Sequence, residues 1–424
     1  MKIKFVNHAS TIFSYDNVNL ITDPWLEGDV FHNGWSLLSE TKFSYNDFKD
    51  ISHIWFSHEH PDHFFPPNIK SIPSELRKNI TVLFQKTNDK KVVEFCKKLN
   101  FKEVIELTPN KVLKLADKFE IINAPFGHDS WLYIKTELFS FLNTNDCVIN
   151  SKEKAEKIHK ITGDIDVLLT QFSYASYHGN INQPEKRIKA CKDKFEQMKL
   201  QFETFKPKYF IPIASYIWFS HEENFYMNDN INTIDKVHDF SLVNKVEPII
   251  LYPGDEYKIS TEHDNLKSIN NYLEDINNIT LEKTRKTIPS SLESLKISGR
   301  KLISQLKKED LLSLILLSFY PVKFYLTDLN IAVKFSSLTG IKQIGNTKES
   351  TNIYLTSEVL DYCLKFNWGF GATIVNGRFQ TNKDKDLVLF NYYVSVTDSL
   401  NHTDSSFKRV LSKIKGKITL KLKI

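Results

Sequence analysis

The sequence predicts an α/β fold in which packed sheets are covered by helices, followed by a smaller α+β domain. A chain of 424 residues is too long for one ordinary hydrophobic core, so two domains are expected. Short β-branched and aromatic runs open the chain and indicate neighbouring strands. Further along, apolar strands alternate with amphipathic helices, and this pattern favours sheets with helices on the outside.

The elements of the first domain follow from these patterns in chain order. Turn residues separate the apolar runs, and helical periodicity marks the longer charged stretches. The predicted strands cover residues 3–6, 11–15, 18–22, 53–57, 81–84, 104–107, 119–123, 131–136, 138–142, 166–171 and 209–214. The predicted helices cover residues 92–99, 151–162 and 183–205.

The domain organisation is predicted from shifts in composition. We expect residues 1–260 to form the first domain and residues 261–298, which are rich in Asn, Ser, Thr and charge, to form a linker or lead-in. Residues 299–424 form the α+β domain. In this second domain we expect helices at 299–317 and 357–365, strands at 323–326, 332–335 and 387–397, and turns from Trp368 to Phe379.

Composition limits the class of protein. The four cysteines form no CxxC pair, so we expect no disulfide framework and a cytoplasmic location. The first residues show no signal-peptide pattern, and the longest apolar run, 311–322, is too short to span a bilayer and predicts a buried helix. The first 260 residues carry a net charge of −3 and residues 261–424 carry +8. Because no basic groove surrounds the candidate site, we expect a small-molecule substrate and no nucleic acid.

One stretch carries most of the chemistry, the run His58-Glu59-His60-Pro61-Asp62-His63. It follows a predicted strand, and Pro61 prevents a helix, so its side chains can converge from a loop. Imidazoles and carboxylates are ligands suited to zinc, iron or manganese. The alternative is a polar surface loop. Three histidines in six positions are improbable by chance in a chain with 13 His in 424 residues, so we predict a metal site.

Other metal-ligand candidates follow the ends of later strands, where side chains can face the same cleft. They are His128, Asp146 and His221. His178, in the loop after the strand at 166–171, competes with His221 as the last ligand and could instead face a substrate.

These residues resemble the metallo-β-lactamase superfamily. Asn7-His8-Ala9-Ser10 with Thr22-Asp23-Pro24-Trp25 is similar to the opening of its lactonase-like and phospholipase-D-like branches. The segment 207–222 is similar to the CMP-N-acetylneuraminate hydroxylase group, although the Cys/His pairs of that group's Rieske domain are absent. The resemblance covers residues 1 to about 260 and implies a four-layer αββα sandwich.

The resemblance also implies a role for each candidate residue. The first metal would be held by His58, His60 and His128, and the second by Asp62, His63 and His221. Asp146 would bridge both metals, and Asp62 could also orient the attacking water. Apart from the resemblance, His178 is the second catalytic candidate, facing the substrate, if it is not the last metal ligand. His8 and Asp23 would orient the ligands, unless they belong only to a buried turn network.

The implied activity is that of a metal-dependent hydrolase. Two divalent ions roughly 3.5–4 Å apart share a carboxylate and a bridging hydroxide, which attacks the substrate. The expected substrate is a small ester, amide or phosphodiester, and the expected metal is zinc, with iron or manganese as alternatives. The same ligands could hold two irons, which makes a di-iron oxygenase acting on a sugar nucleotide or an amino-acid derivative the alternative. A binding protein with a vestigial site is disfavoured, because seven candidate ligands are retained.

The C-terminal domain is less informative. The stretch from Trp368 to Phe379 is faintly similar to small lipid-carrier domains of the sterol-carrier type. We expect this domain to cap the active site, to form a homo-oligomer or to bind an apolar substrate tail. The final segment, Lys408 to Ile424, carries seven Lys or Arg and no acid. It predicts a solvated edge strand, and the alternative is a patch for an anionic substrate, a nucleic acid or a membrane surface.

Overall fold

The computed structural model describes residues 1–398 and residue 400, which form two seven-stranded sheets, a two-stranded ribbon and a five-stranded sheet. The predicted edge strand at 408–424 lies outside the described residues. The strands of the first unit are β1 (Lys2–Asn7), β2 (Ser10–Tyr15), β3 (Val18–Thr22), β4 (Trp35–Leu37), β5 (His53–Phe56), β6 (Thr81–Gln85), β7 (Glu103–Leu107), β8 (Val112–Ala116), β9 (Phe119–Phe126), β10 (Asp129–Thr136), β11 (Ser140–Asn145), β12 (Val167–Gln171), β13 (Tyr209–Ile213), β14 (Ile217–Phe219), β15 (Glu247–Pro248) and β16 (Glu256–Lys258).

The helices of this unit lie on the outer faces of the sheets. They are α1 (Pro66–Ser71), α2 (Ser74–Arg77), α3 (Lys91–Lys98), α4 (Lys152–Thr162), α5 (Pro184–Phe205), α6 (Ile234–Val243) and α7 (Asn265–Asn277). Single 3-10 turns cover Tyr45–Asp50, Phe225–Asn228 and Leu281–Lys283.

Each of the two large sheets has one part with antiparallel strand pairing and one part with parallel strand pairing. The first has the order β16-β1-β2-β3-β5-β6-β7, antiparallel as far as β3 and parallel from β3 to β7. The second has the order β15-β13-β12-β11-β10-β9-β8, parallel from β15 to β11 and antiparallel from β11 to β8. Parallel strands aligned in this way bring their carboxyl ends to one edge, where the polar loops gather.

The core confirms the four-layer αββα sandwich. One hydrophobic cluster joins the inner faces of the two sheets, where the rings of Phe13 and Phe141 are 5.5 Å apart. The same cluster continues to the outer helices through Ile158 of α4 and Phe202 of α5. A second cluster packs the first sheet against its own helices through Ile69 and Val93. Burial on both faces explains why β5, β6 and β12 are almost uninterrupted apolar runs.

The C-terminal unit has its own sheet and hydrophobic cluster. Its elements are α8 (Leu292–Glu309), α9 (Leu311–Ser318), β17 (Val322–Leu326), β18 (Ile331–Ser336), β19 (Gly340–Gly345), β20 (Ile353–Leu355), α10 (Ser357–Lys365), α11 (Gly369–Asn376), β21 (Gln380–Thr381) and α12 (Asp384–Asp398). The expected domain limits stay a prediction. Helix α7, within the stretch expected to be a linker, packs Ile269 and Tyr272 into the core of the first unit.

Three local predictions in the C-terminal unit were wrong. The expected strand at 387–397 is helix α12, whose buried Leu389, Phe390, Tyr393 and Val396 follow helical spacing, so packing outweighs the β-branched composition. The expected turns from Trp368 to Phe379 contain helix α11. The apolar run 311–322 is not one buried helix, because α9 ends at Ser318 and strand β17 begins at Val322. No helix within the described residues has the length and apolar character to cross a membrane.

Candidate metal centre

The histidine loop leaves strand β5 at the edge of the first sheet. The amides of His63 and Phe64 both donate to the carbonyl of His60, at 3.0 and 2.7 Å, and close a tight turn. The turn buries His58, Asp62 and His63 and leaves His60 half-buried beside a cleft. The loop therefore presents four potential ligands from six consecutive residues, as its spacing predicts.

One group of potential ligands combines His58, His60 and Asp129. The Nε2 atom of His58 lies 2.8 Å from Nδ1 of His60 and 3.5 Å from Oδ1 of Asp129. Sequence reasoning missed Asp129 and chose its neighbour His128. In the structure His128 is exposed and lines the cleft, while its carbonyl accepts a hydrogen bond from Gln85. A metal-ligand role for His128 stays a prediction.

A second group combines His8, Asp62 and His63, and Asp146 joins it to the first. The Nε2 atom of His63 lies 3.3 Å from Oδ2 of Asp62 and 3.3 Å from Oδ2 of Asp146. The Nε2 atom of His8 lies 3.5 Å from Oδ2 of Asp62. Asp146 also groups with His58 and His63. It therefore lies between the two groups, and its role as a bridging ligand stays a prediction.

Asp23 organises the base of the cluster. Its carboxylate accepts hydrogen bonds from the amide and the hydroxyl of Ser57, both at 2.7 Å, and from the side chain of Asn145. It lies 2.9 Å from Nδ1 of His63. This contact places a proton on Nδ1 and leaves Nε2 of His63 free to face Asp62 and Asp146.

The backbone is strained around these side chains. His8, Asp23, Asn145 and Ala214 all have positive φ angles, of 43°, 39°, 46° and 54°. The amide of Ala214 donates to the carbonyl of His8 at 2.9 Å and ties two of these positions together. Such conformations cost about 1–3 kcal/mol each and cluster at functional sites.

The residues present fit a pair of metal ions. Several buried side-chain atoms form no hydrogen bond of good geometry among the described residues, namely both ring nitrogens of His8, Oδ1 of Asp62 and Nε2 of His63. The Nε2 atoms of His8 and His63 have only the carboxylate contacts at 3.3–3.5 Å given above. A buried polar atom without a partner costs about 1–3 kcal/mol, and a cation would satisfy several of them at once. Imidazole nitrogens and carboxylate oxygens are the donor set expected for iron, zinc or manganese.

Burial and neighbouring charges shift the pKa values of the side chains in this cluster in different directions. Burial, with the neighbouring His63 and His60, holds the pKa of His58 well below its usual range. For Asp62, burial acts to raise the pKa, but His63 and His8 outweigh it and hold the pKa well below the usual value. Burial acts to lower the pKa of His63, but Asp62, Asp146 and Asp23 raise it well above the usual value. Burial, followed by the charge of Asp146, raises the pKa of Asp129 to about 7.

A lysine and a glutamine that sequence reasoning missed lie behind Asp146. The amide nitrogen of Gln171 donates to Oδ1 of Asp146 and to the carbonyl of Ala214, both at 3.1 Å. Its amide oxygen accepts from the ammonium of Lys194 on α5. Because lysine can only donate, this contact fixes which end of the glutamine amide faces Asp146. No local motif marks these two residues in the sequence.

His221 lies in a different cluster, between the first unit and the C-terminal unit. Its Nδ1 atom is 3.2 Å from Glu223, and both residues group with Glu358 of α10. The fully buried Arg378 donates to Glu223 and Glu358 at 2.7 Å each and to the carbonyl of His32 at 2.7 Å. This guanidinium offsets part of the negative charge of the two carboxylates and occupies the side of the cluster that faces the C-terminal unit. A metal-ligand role for His221 stays a prediction.

His178 is also separate from the groups of potential ligands. It lines a cavity of about 290 Å³ between α5 and α12, and its Nε2 atom lies 3.2 Å from the hydroxyl of Ser176. Burial, with the charge of Lys194, lowers the pKa of His178 to about 4. The structure thus places it near Lys194, and its catalytic role stays a prediction.

The sequence is similar to curated hydroxylases over part of its length, and no family model matches it. The cytidine monophosphate-N-acetylneuraminic acid hydroxylase of Mus musculus is 23% identical over 262 residues, which are 59% of this chain and 45% of that protein. The hydroxylase of Xenopus laevis is 24% identical over 240 residues, 54% of this chain and 40% of that protein. The chain therefore spans less than half the length of the curated relatives it matches.

Solved structures with a similar fold include a hydroxylase and a hydrolase. CmlA, a diiron beta-hydroxylase from Streptomyces venezuelae, is 15% identical, with 61% of this chain and 54% of that chain covered and a TM-score of 0.44. An isothiocyanate hydrolase from Delia radicum gut bacteria is 11% identical, with 62% and 100% covered and a TM-score of 0.46. The αββα layers and the ligand loop after β5 give this chain the metallo-β-lactamase fold.

Proposed function

We propose that this chain is an enzyme with a dinuclear metal centre, that the metal is iron, and that the reaction is the oxygen-dependent hydroxylation of a small molecule. The observation that carries the proposal is the group formed by His58, His60 and Asp129. Two histidines and one carboxylate form the ligand set of non-haem iron(II) oxygenases, and some zinc hydrolases use the same set. The group of His8, Asp62 and His63 repeats that composition, and Asp146 lies between the two.

Iron bound here would supply the activation of dioxygen. In the net reaction one oxygen atom enters a C–H bond of the substrate, and the other is reduced to water with two electrons from an external reductant and two protons. The protein would hold the ligands in place through Asp23 and Gln171. The half-buried His60 and Asp129 border the cleft, so a substrate would approach from that side.

The sequence relatives support this proposal over the zinc hydrolase expected first. The curated proteins that are similar to 59% and 54% of this chain are named hydroxylases. Carboxylates supply three of the candidate ligands, Asp62, Asp129 and Asp146, and a mixed set of imidazoles and carboxylates is compatible with iron.

A metal-dependent hydrolase is the second candidate. The buried Oδ1 atom of Asp62 has no hydrogen-bond partner among the described residues. A free carboxylate oxygen beside a metal pair can accept a proton from an attacking water. The cluster would then cleave an ester, an amide or a phosphodiester.

Metal content and oxygen uptake distinguish the two candidates. Protein produced without added metal is analysed for bound metals, and oxygen consumption is recorded with a chemical reductant. We expect two irons per chain and reductant-dependent oxygen uptake; His60→Ala should lower the metal content and abolish the oxygen uptake. The matched control is His159→Ala, because His159 lies on the surface of α4, 2.8 Å from Asp164, and should behave as the unmodified chain does.

Two zincs, no oxygen uptake and cleavage of simple esters would refute the oxygenase and leave the hydrolase. A metal content that His60→Ala does not change would refute the dinuclear centre itself.

A further inference from the structure

A cleft of about 680 Å³ opens beside the candidate metal centre. His60, His128 and Asp129 line it on the side of the metal cluster, and residues of α4 line it on the other. Pockets for small molecules commonly measure about 300–1,000 Å³. The cleft therefore has the size and the position of a substrate site for this cluster.

Most of the cleft wall is apolar. Phe126, Trp131, Val148, Ile158 and Ile161 all contribute to it. Val148 and Ile161 are 44% and 38% exposed, although both are large apolar side chains. Covering such surface releases about 25 cal/mol per Å², so the wall favours a ligand with an aromatic or alkyl body.

One cationic side chain, Lys154, lies beside this apolar wall. The ammonium of Lys154 donates to the carbonyl of Val148 at 3.2 Å and to Oδ1 of Asn150 at 2.8 Å, and it lies 5.7 Å from the centre of the Phe126 ring. Its two hydrogen-bond acceptors are neutral, and no carboxylate of the described residues forms an ion pair with it. An ammonium has three donors, so one donor and the full charge are left for a ligand.

The other lysine of the cleft is different. Lys157 forms an ion pair with Glu153 at 2.6 Å, one turn away on the exposed face of α4. Its charge is already compensated, and only Lys154 combines an uncompensated charge with a fixed position at the apolar wall among the described residues of the cleft.

We infer that the substrate is an amphiphilic anion, whose aromatic or alkyl body lies in the cleft and whose carboxylate or phosphate binds Lys154. Lys154 is then a residue that determines specificity, because a neutral analogue would leave its charge without a partner. This inference rests on the proposed function, since it assigns the substrate class of the same centre.

The test measures binding by calorimetry, so it does not depend on turnover. The probes are 4-phenylbutyrate, its neutral counterpart 4-phenylbutanol, and phenyl phosphate. Each is titrated into the full chain, into Lys154→Met and into Lys160→Met, with and without metal. Lys160 is the control because it is exposed on the same helix and does not line the cleft.

We expect at least one anion to bind the unmodified, metal-free chain at least fivefold more tightly than the alcohol does. Lys154→Met should remove this preference and leave the affinity for the alcohol within twofold, and Lys160→Met should change neither. The tighter of the two anions identifies the head group as carboxylate or phosphate.

Equal affinity for acid and alcohol, an anion preference that survives in Lys154→Met, or no binding of either anion up to 10 mM would overturn the inference. Binding of anions only after metal loading, unchanged in Lys154→Met, would also overturn it, because the anion would then lie on the metals. Metal content measured on the same samples reports separately on the proposed function.

Discussion

Replacing Arg378 with methionine removes a buried cation that links the C-terminal unit to the sandwich. Its side chain is 0% exposed and contacts the carboxylates of Glu223 and Glu358, each at 2.7 Å. Those carboxylates are themselves only 15% and 14% exposed. Removing one partner of a buried ion pair leaves an uncompensated charge and costs about 3–5 kcal/mol. Here two carboxylates lose their partner, so we expect the upper part of this range.

The assay is urea unfolding at pH 7, followed by circular dichroism and by tryptophan fluorescence. If the two units unfold in separate steps, the loss should fall on the step of the C-terminal unit. Arg300→Met is the matched control, because Arg300 is 65% exposed and pairs with Glu293 at 3.1 Å on the surface of α8. Exposed pairs contribute about 0–1 kcal/mol, so this variant should differ little from the unmodified chain.

A second substitution tests the cause of the loss. Adding Glu358→Gln to Arg378→Met removes one of the stranded charges and should recover part of the stability. The reasoning is refuted if Arg378→Met changes the free energy of unfolding by less than about 1 kcal/mol. It is also refuted if the added Glu358→Gln makes the loss larger.

Three further predictions concern the cluster and its surroundings. Asp129→Asn should lower the bound metal from two ions to about one per chain, and His128→Ala should leave two ions bound. The opposite result in metal analysis would identify His128, and not Asp129, as the ligand. Gln171→Leu should weaken metal binding about 10- to 100-fold, as measured by competition with a chelator. An unchanged affinity would contradict the role of the hydrogen bond between Gln171 and Asp146. His32→Gln should make stability less sensitive to acid between pH 7 and 5, as measured by urea unfolding at each pH.

The direction of the change in pH-dependent stability expected for His32→Gln follows from the surroundings of His32. Burial, and then the charge of Arg378, lower the pKa of His32 to about 3. The unfolded chain takes up a proton near pH 6.5 and the folded chain does not, so stability falls as the pH decreases through this range. One such group contributes up to about 1.4 kcal/mol per pH unit, and the variant lacks that contribution. An unchanged pH dependence would contradict the buried, neutral state of this histidine.

The part of the site that is local in sequence could be predicted from the sequence. His58, His60, Asp62 and His63 converge because a strand ends before them and a turn folds them back, and both features depend on neighbouring residues. The layers of the sandwich could be predicted for the same reason, because apolar runs and helical periodicity are local signals.

The parts of the site that depend on long-range packing could not be predicted from the sequence. His128 and Asp129 are adjacent at the β9–β10 turn, where Gly127 has a φ of 71°. Successive side chains at a strand point to opposite faces, so the geometry of this turn decides which of the two faces the cluster. His221 follows a strand end as expected, but its surroundings come from Arg378, 157 positions later in the chain. No local pattern reveals such a partner.

The unpartnered buried atoms of His8, Asp62 and His63 have a consequence for the amount of protein that a cell contains. A ligand that binds only the folded chain stabilises it by about 2.7 kcal/mol at a free concentration of 100 times its Kd. A metal ion bound by these residues would be such a ligand, and metal supply and folding would then be coupled. Starvation for the metal would increase the unfolded fraction that proteases remove.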